Sequence, residues 1–117
     1  MHHDKIKLSD LEPEFITYAE NGNLSEVASL AEAQGISYLC PLCYAKNGGA
    51  IGTHRVNTTF DARGVPDHLG SHSEEGAPTR WVIASGSGFH DLTLTPSIWL
   101  KGSMCGWHGF ITFGLAN

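Results

Sequence analysis

The sequence predicts a β-rich α+β domain: a small antiparallel sheet with one short helix, held by a zinc-knuckle-type clamp. Three observations predict it. Short alternating apolar runs recur along 117 residues and are punctuated by 14 Gly and 5 Pro, a pattern that suits short strands better than long helices. One stretch alone carries helix signals at both ends. The three cysteines fall into two short-spaced pairs of the kind that hold a metal. A chain of this length buries roughly 65% of its unfolded surface, enough for one small core, so residues 1–117 are read as one domain.

Each element follows from its own residues. Residues 5–8 alternate and read as a first strand, which the run around Pro13 breaks with a turn or one helical turn. The helix is placed at about 24–34. Asn23 caps it with Glu26 three residues on, Gly35 stands where a C-terminal cap belongs, and Leu24, Val27, Ala28 and Ala31 share a face. Residues 36–39 alternate and run straight into Cys40. Residues 55–60 are β-branched and alternating. Residues 61–79 show no periodicity and carry Gly or Pro at five positions, so they read as an exposed, mobile excursion. Residues 80–84 form a strand, 86–88 a turn, and 92–95 another strand that Pro96 ends. Residues 98–100 and 109–113 are the last two strands.

Composition excludes several classes. The net charge is −5 with only seven Lys and Arg, so the basic footprint of a nucleic-acid binder is absent. No apolar run approaches the ~20 residues of a membrane span. The first five residues lack the apolar core of a signal peptide, so a cytoplasmic rather than a secreted protein is expected. An odd cysteine count argues against a disulfide framework and for metal or thiol chemistry.

Cys40-x-x-Cys43 is followed, after 61 residues, by Cys105-x-x-His108. Thiolate and imidazole are a standard zinc set, and two ligands two residues apart face one point if the chain turns between them. Pro41 helps the first turn and Gly106 the second. The expected site is therefore one zinc on Cys40, Cys43, Cys105 and His108, which uses every cysteine. A thioredoxin-like redox pair at Cys40 and Cys43 would need a helix starting there, and none is expected after Cys43. A deaminase would need a proline before the first cysteine and an upstream His-x-Glu. Leu39 precedes Cys40, and the only His-x-Glu, His72 to Glu74, comes later. Four strong ligands leave no open position for water, so the zinc is read as structural.

Other titratable groups carry less. His54 opens a strand and reads as an ordinary polar histidine, with a pocket or a second metal as the alternatives. Asp67, His68, His72, Glu74 and Glu75 share a glycine-rich loop and could hold a labile divalent ion. His90-Asp91 lies in a turn, and His2 and His3 chelate metal without consequence. Trp81 belongs to the core and Trp107 shields the metal. Trp99, between Ile98 and Leu100, is the binding candidate, because neighbours on a strand point to opposite sides.

Residues 36–49, 52–54, 63–66, 88–98 and 105–110 together resemble small proteins encoded by tailed bacteriophages and prophages. That group is similar to a wider bacterial family with a Cys/His metal site. The likeness spans about residues 10–113 and is most specific at Cys40, Cys43, Cys105, His108 and residues 92–98. Some phage members carry the label ammonia monooxygenase, and the wider family sometimes lies near bacterial ubiquitin-like conjugation genes. The resemblance implies a phage protein found in the host cytoplasm or the virion. Taken with the residues, it gives the leading expectation of a non-enzymatic zinc-binding interaction protein, acting in the virion or on a host protein, with a protein partner or a second copy of itself. The alternatives are an accessory binding module of a ubiquitin-like or defence system and a hydrolase using zinc or the His54, His68 and His72 group.

Overall fold

The computed structural model describes residues 5–101 and 103–117. Its largest sheet has four antiparallel strands in the order β3 (Leu24–Val27), β2 (Glu14–Tyr18), β4 (Gly35–Leu39), β5 (Arg55–Thr59). Every residue of β4 is buried, as befits a central strand covered on both faces. A second sheet joins β1 (Ile6–Lys7) to β11 (Leu115–Ala116) and β10 (Ile111–Thr112). Two hairpins complete the fold: β6 (Val82–Ser85) with β7 (Thr93–Thr95), and β8 (Ile98–Trp99) with β9 (His108–Gly109). Among the described residues one α-helix, α1, runs over Pro41–Asn47. The result is a β-rich α+β fold around one cluster that includes Leu8, Ile36, Tyr38, Phe60, Leu94 and Trp107.

The helix expected at 24–34 is not there. Residues 24–27 are β3, whose register on β2 runs from Tyr18↔Leu24 to Phe15↔Val27, and Leu30–Glu32 is a single 3-10 turn. The reason is the turn before it. Gly22 takes φ 88 and donates its N–H to the Ala19 carbonyl, while Ala19 donates to Asn23. Asn-Gly is the strongest short hairpin signal, and it acts here against an apolar face too short to hold a helix alone. Gly35 is no cap either. It pairs with Thr59, and a Cβ there would stand 2.6 Å from the Thr58 carbonyl oxygen, so only glycine lets β4 lie that close.

The actual helix sits where none was expected. Pro41 occupies its first turn and Gly48 ends it at φ 69, the usual proline-first, glycine-last asymmetry. The first strand is shorter than expected and gives way to a 3-10 turn over Leu8–Leu11, which buries both leucines.

Residues 61–79 contain no strand, but they are tied down. The Arg80 guanidinium donates to the carbonyls of Pro66, Leu69, Ser71 and Thr79. The His72 ring nitrogens lie 3.0 Å from the Gly70 carbonyl and 2.6 Å from that of Asp67. The excursion is exposed, yet wrapped on side chains rather than free.

Candidate metal centre

Two aromatic residues bring the ligand-bearing segments together. Tyr38 lies two residues before Cys40 on β4. It is fully buried, with its hydroxyl hydrogen-bonded to Thr58 Oγ1 at 2.8 Å. Trp107 lies two residues after Cys105 and packs edge-on against Tyr38 at 6.3 Å between centroids, with its indole N–H donating to the Asn117 carbonyl. Burying this pair presses the end of β4 against the loop between β8 and β9. That loop is closed by the Leu100 N–H on the Trp107 carbonyl and turns through Gly106 at φ 60.

Four donor atoms converge there. One each from Cys40, Cys43, His54 and Cys105 lie within 4.8 Å of one another. Cys40 links the end of β4 to α1, and Cys43 stands in the first turn of that helix. His54 immediately precedes β5. One step beyond the Leu39↔Arg55 pair, the Cys40 N–H donates to the His54 carbonyl at 2.9 Å, so the strand register places these two ligands side by side. Cys105 comes from the β8–β9 loop. Its Sγ is 3.9 Å from Cys40 Sγ and 3.4 Å from His54 Nε2. Zinc bonds of ~2.3 Å to sulfur and ~2.0 Å to nitrogen give tetrahedral edges of about 3.8 Å between sulfurs and about 3.5 Å between sulfur and nitrogen. The donor set fits such an ion.

The surroundings suit a cation. His54 Nδ1 lies 3.3 Å from the Arg55 carbonyl, a contact that selects the tautomer with its proton on Nδ1 and leaves the Nε2 lone pair facing the thiols. Burial pushes the Cys40 thiol up to about 12, against the Cys43 backbone N–H that points at its sulfur. Burial also raises Cys43. It raises Cys105 too. There the Trp107 N–H, the Ser103 hydroxyl, the His54 ring and the Cys43 thiol outweigh it and bring the thiol down to about 6. Ser103 Oγ, 3.6 Å from the Cys105 sulfur, is itself held by the Gly106 N–H.

The expected fourth ligand is therefore corrected. Cys40, Cys43 and Cys105 meet, but His108 does not join them; His54 does. Trp107 must turn inward onto Tyr38, and alternation along the extended chain sends His108 the opposite way. Its ring stacks on Trp99 at 5.0 Å and its Nε2 lies 2.9 Å from Ser97 Oγ. The signal for His54 was in the sequence. Cys40 directly follows one strand run and His54 directly precedes the next, so an antiparallel pairing of those runs makes them neighbours. The expected absence of a helix at Cys43 is also corrected, since α1 begins at Pro41. The redox-pair reading still lacks the parallel βαβ setting, because β4 and β5 are antiparallel.

The remaining candidates stay apart. His68, His72, Asp67 and Glu74 form no converging donor set among the described residues. The His90 ring lies 3.7 Å from the Asp91 carboxylate. His2 and His3 lie outside the described residues. Trp81 is buried, with its indole N–H on the Ser97 carbonyl. Trp99 is 53% exposed while its neighbour Ile98 is buried. An apolar cavity of about 250 Å³ lies against α1, lined by Pro41, Leu42, Ala45 and Trp107 among others, but none of the four donor residues lines it. No helix among the described residues is long and apolar enough to cross a membrane. No protein-family model, curated protein or solved structure matches the chain.

Proposed function

We propose that this protein works by binding another protein, with one structural zinc on Cys40, Cys43, His54 and Cys105 fixing the surface that binds. The observation that carries this reading is Trp99. A half-exposed indole stands on a strand whose partner, β9, begins three residues after the ligand Cys105. His108 stacks on the ring, and the Lys101 ammonium lies 5.3 Å from its centroid, so the side chain is held rigid before any partner arrives. Interface energy concentrates in such aromatic anchors.

A closed four-ligand site supports a structural role over a catalytic one. Three thiolates make zinc a weak Lewis acid, and no donor residue opens onto the neighbouring cavity. The setting proposed is a tailed phage or prophage, with the protein in the virion or acting on a host protein. Mass spectrometry of purified particles separates those two.

The test of binding is Trp99→Ala. The variant should keep its zinc and its melting temperature while losing about 2 kcal/mol or more of association with its partner or with itself, read by sedimentation equilibrium and by quantified recovery of the cross-linked partner. Unchanged association, or zinc-dependent hydrolysis by the pure wild-type protein, would contradict the reading.

A further inference from the structure

Trp99 borders a groove of about 400 Å³ between the β8–β9 hairpin and the 61–79 excursion. Its floor is apolar, from Trp81, Ile98 and Leu100, and Trp99 stands along it. Its far wall carries Glu74 and Glu75. Four charged or titratable groups line it: the two carboxylates, Lys101 and His72. The His72 ring nitrogens are already directed at the Asp67 and Gly70 carbonyls. Lys101 lies over Trp99 at 5.3 Å and reaches Glu74 Oε2 at 3.7 Å. An aromatic face opposite carboxylates is a cation-binding arrangement, and this chain's own lysine already occupies it. Glu75 adds a second carboxylate, in a chain of net charge −5.

We propose that this groove docks a basic segment of a partner protein, which lays an arginine or lysine side chain on Trp99 against Glu74 and Glu75 in place of Lys101. Lys101 is then an internal stand-in that the incoming side chain displaces. Arginine suits the exchange best, since its planar guanidinium stacks on indole and bonds carboxylates in pairs, which an ammonium does not. The inference rests on the reading of Trp99 as the binding anchor and adds the charge of what binds.

The experiment is an NMR titration of the zinc-loaded protein, following the Trp99 indole N–H. The probes are a capped Gly-Arg-Gly-Arg-Gly peptide and its twin with glutamate for arginine. The arginine peptide should shift the resonance saturably and more weakly as salt rises, and the glutamate peptide should not. Lys101→Ala should tighten binding by about threefold or more, because the internal competitor is gone, and Glu75→Gln should weaken it by a similar factor. Equal response to both peptides, no response to either, or a Lys101→Ala variant that binds no better would overturn the proposal. The outcomes separate from those of the parent reading. If Trp99→Ala still weakens association while arginine peptides fail, only the basic-partner inference falls; if Trp99→Ala changes no association, the parent reading falls.

Discussion

His54 and His108 carry the same ring in opposite roles, and the difference lies in what each nitrogen faces. His54 turns Nδ1 to a carbonyl and Nε2 to sulfur, whereas His108 turns Nε2 to a serine hydroxyl and its flat face to Trp99. The cysteines are likewise unequal. At about pH 8 in the metal-free protein, Cys40 at about 12 and the raised Cys43 hold their protons, while Cys105 at about 6 has lost its own. Zinc binds thiolates, so its arrival must expel about two protons at that pH. Raising pH removes that competition. Zinc affinity should therefore rise by up to about a hundredfold per pH unit between about pH 7 and 8. Calorimetry in buffers of different ionisation enthalpy counts the protons; a release near zero or near three would contradict this assignment of charge.

At the scale of elements, Arg80 ties the 61–79 excursion together, alongside a single antiparallel bridge between His72 and Pro78 and the Ser71 bonds to Asn57 and Thr59. Arg80→Lys keeps the charge but cannot reach four carbonyls, and Arg80→Ala reaches none. Both variants should be cut at Glu74 or Glu75 by a glutamate-specific protease about tenfold faster than wild type, with only a small change in melting temperature, because the opening is local. Cutting at the wild-type rate in both would show that something else holds the loop. The strands at 35–39 and 55–59 were legible in the sequence because alternation and β-branching agreed there. Asn23 and Glu26 imitate a helix cap at 24–34, but the Asn21-Gly22 turn pairs residues 24–27 with the strand at 14–18 instead. Pro41 and Gly48 marked α1 at both ends, but seven residues give no periodic face to see.

Across the whole molecule, the three cysteines were legible as a metal site because spacing alone brings Cys40 near Cys43 and leaves Cys105 as the only other thiol. The fourth ligand was not, since short spacing pointed to His108 while strand register, a long-range property, selects His54. Metal closes the middle of the chain onto its last hairpin. The ligands also stand at the junction of the main sheet, α1 and the β8–β9 loop. Structural zinc supplies ~10–16 kcal/mol of apparent binding free energy, comparable with or above the ~5–15 kcal/mol stability of a small domain, so folding should depend on it.

The most direct measurement compares zinc affinity, by competition against a chelator, in wild type, His54→Ala and His108→Ala, with the melting temperature of each followed alongside. One zinc per chain and wild-type affinity are expected for His108→Ala. For His54→Ala the expected affinity is lower by about tenfold or more, with melting lowered to match. Loss of zinc in His108→Ala with retention in His54→Ala would contradict His54 as the fourth ligand.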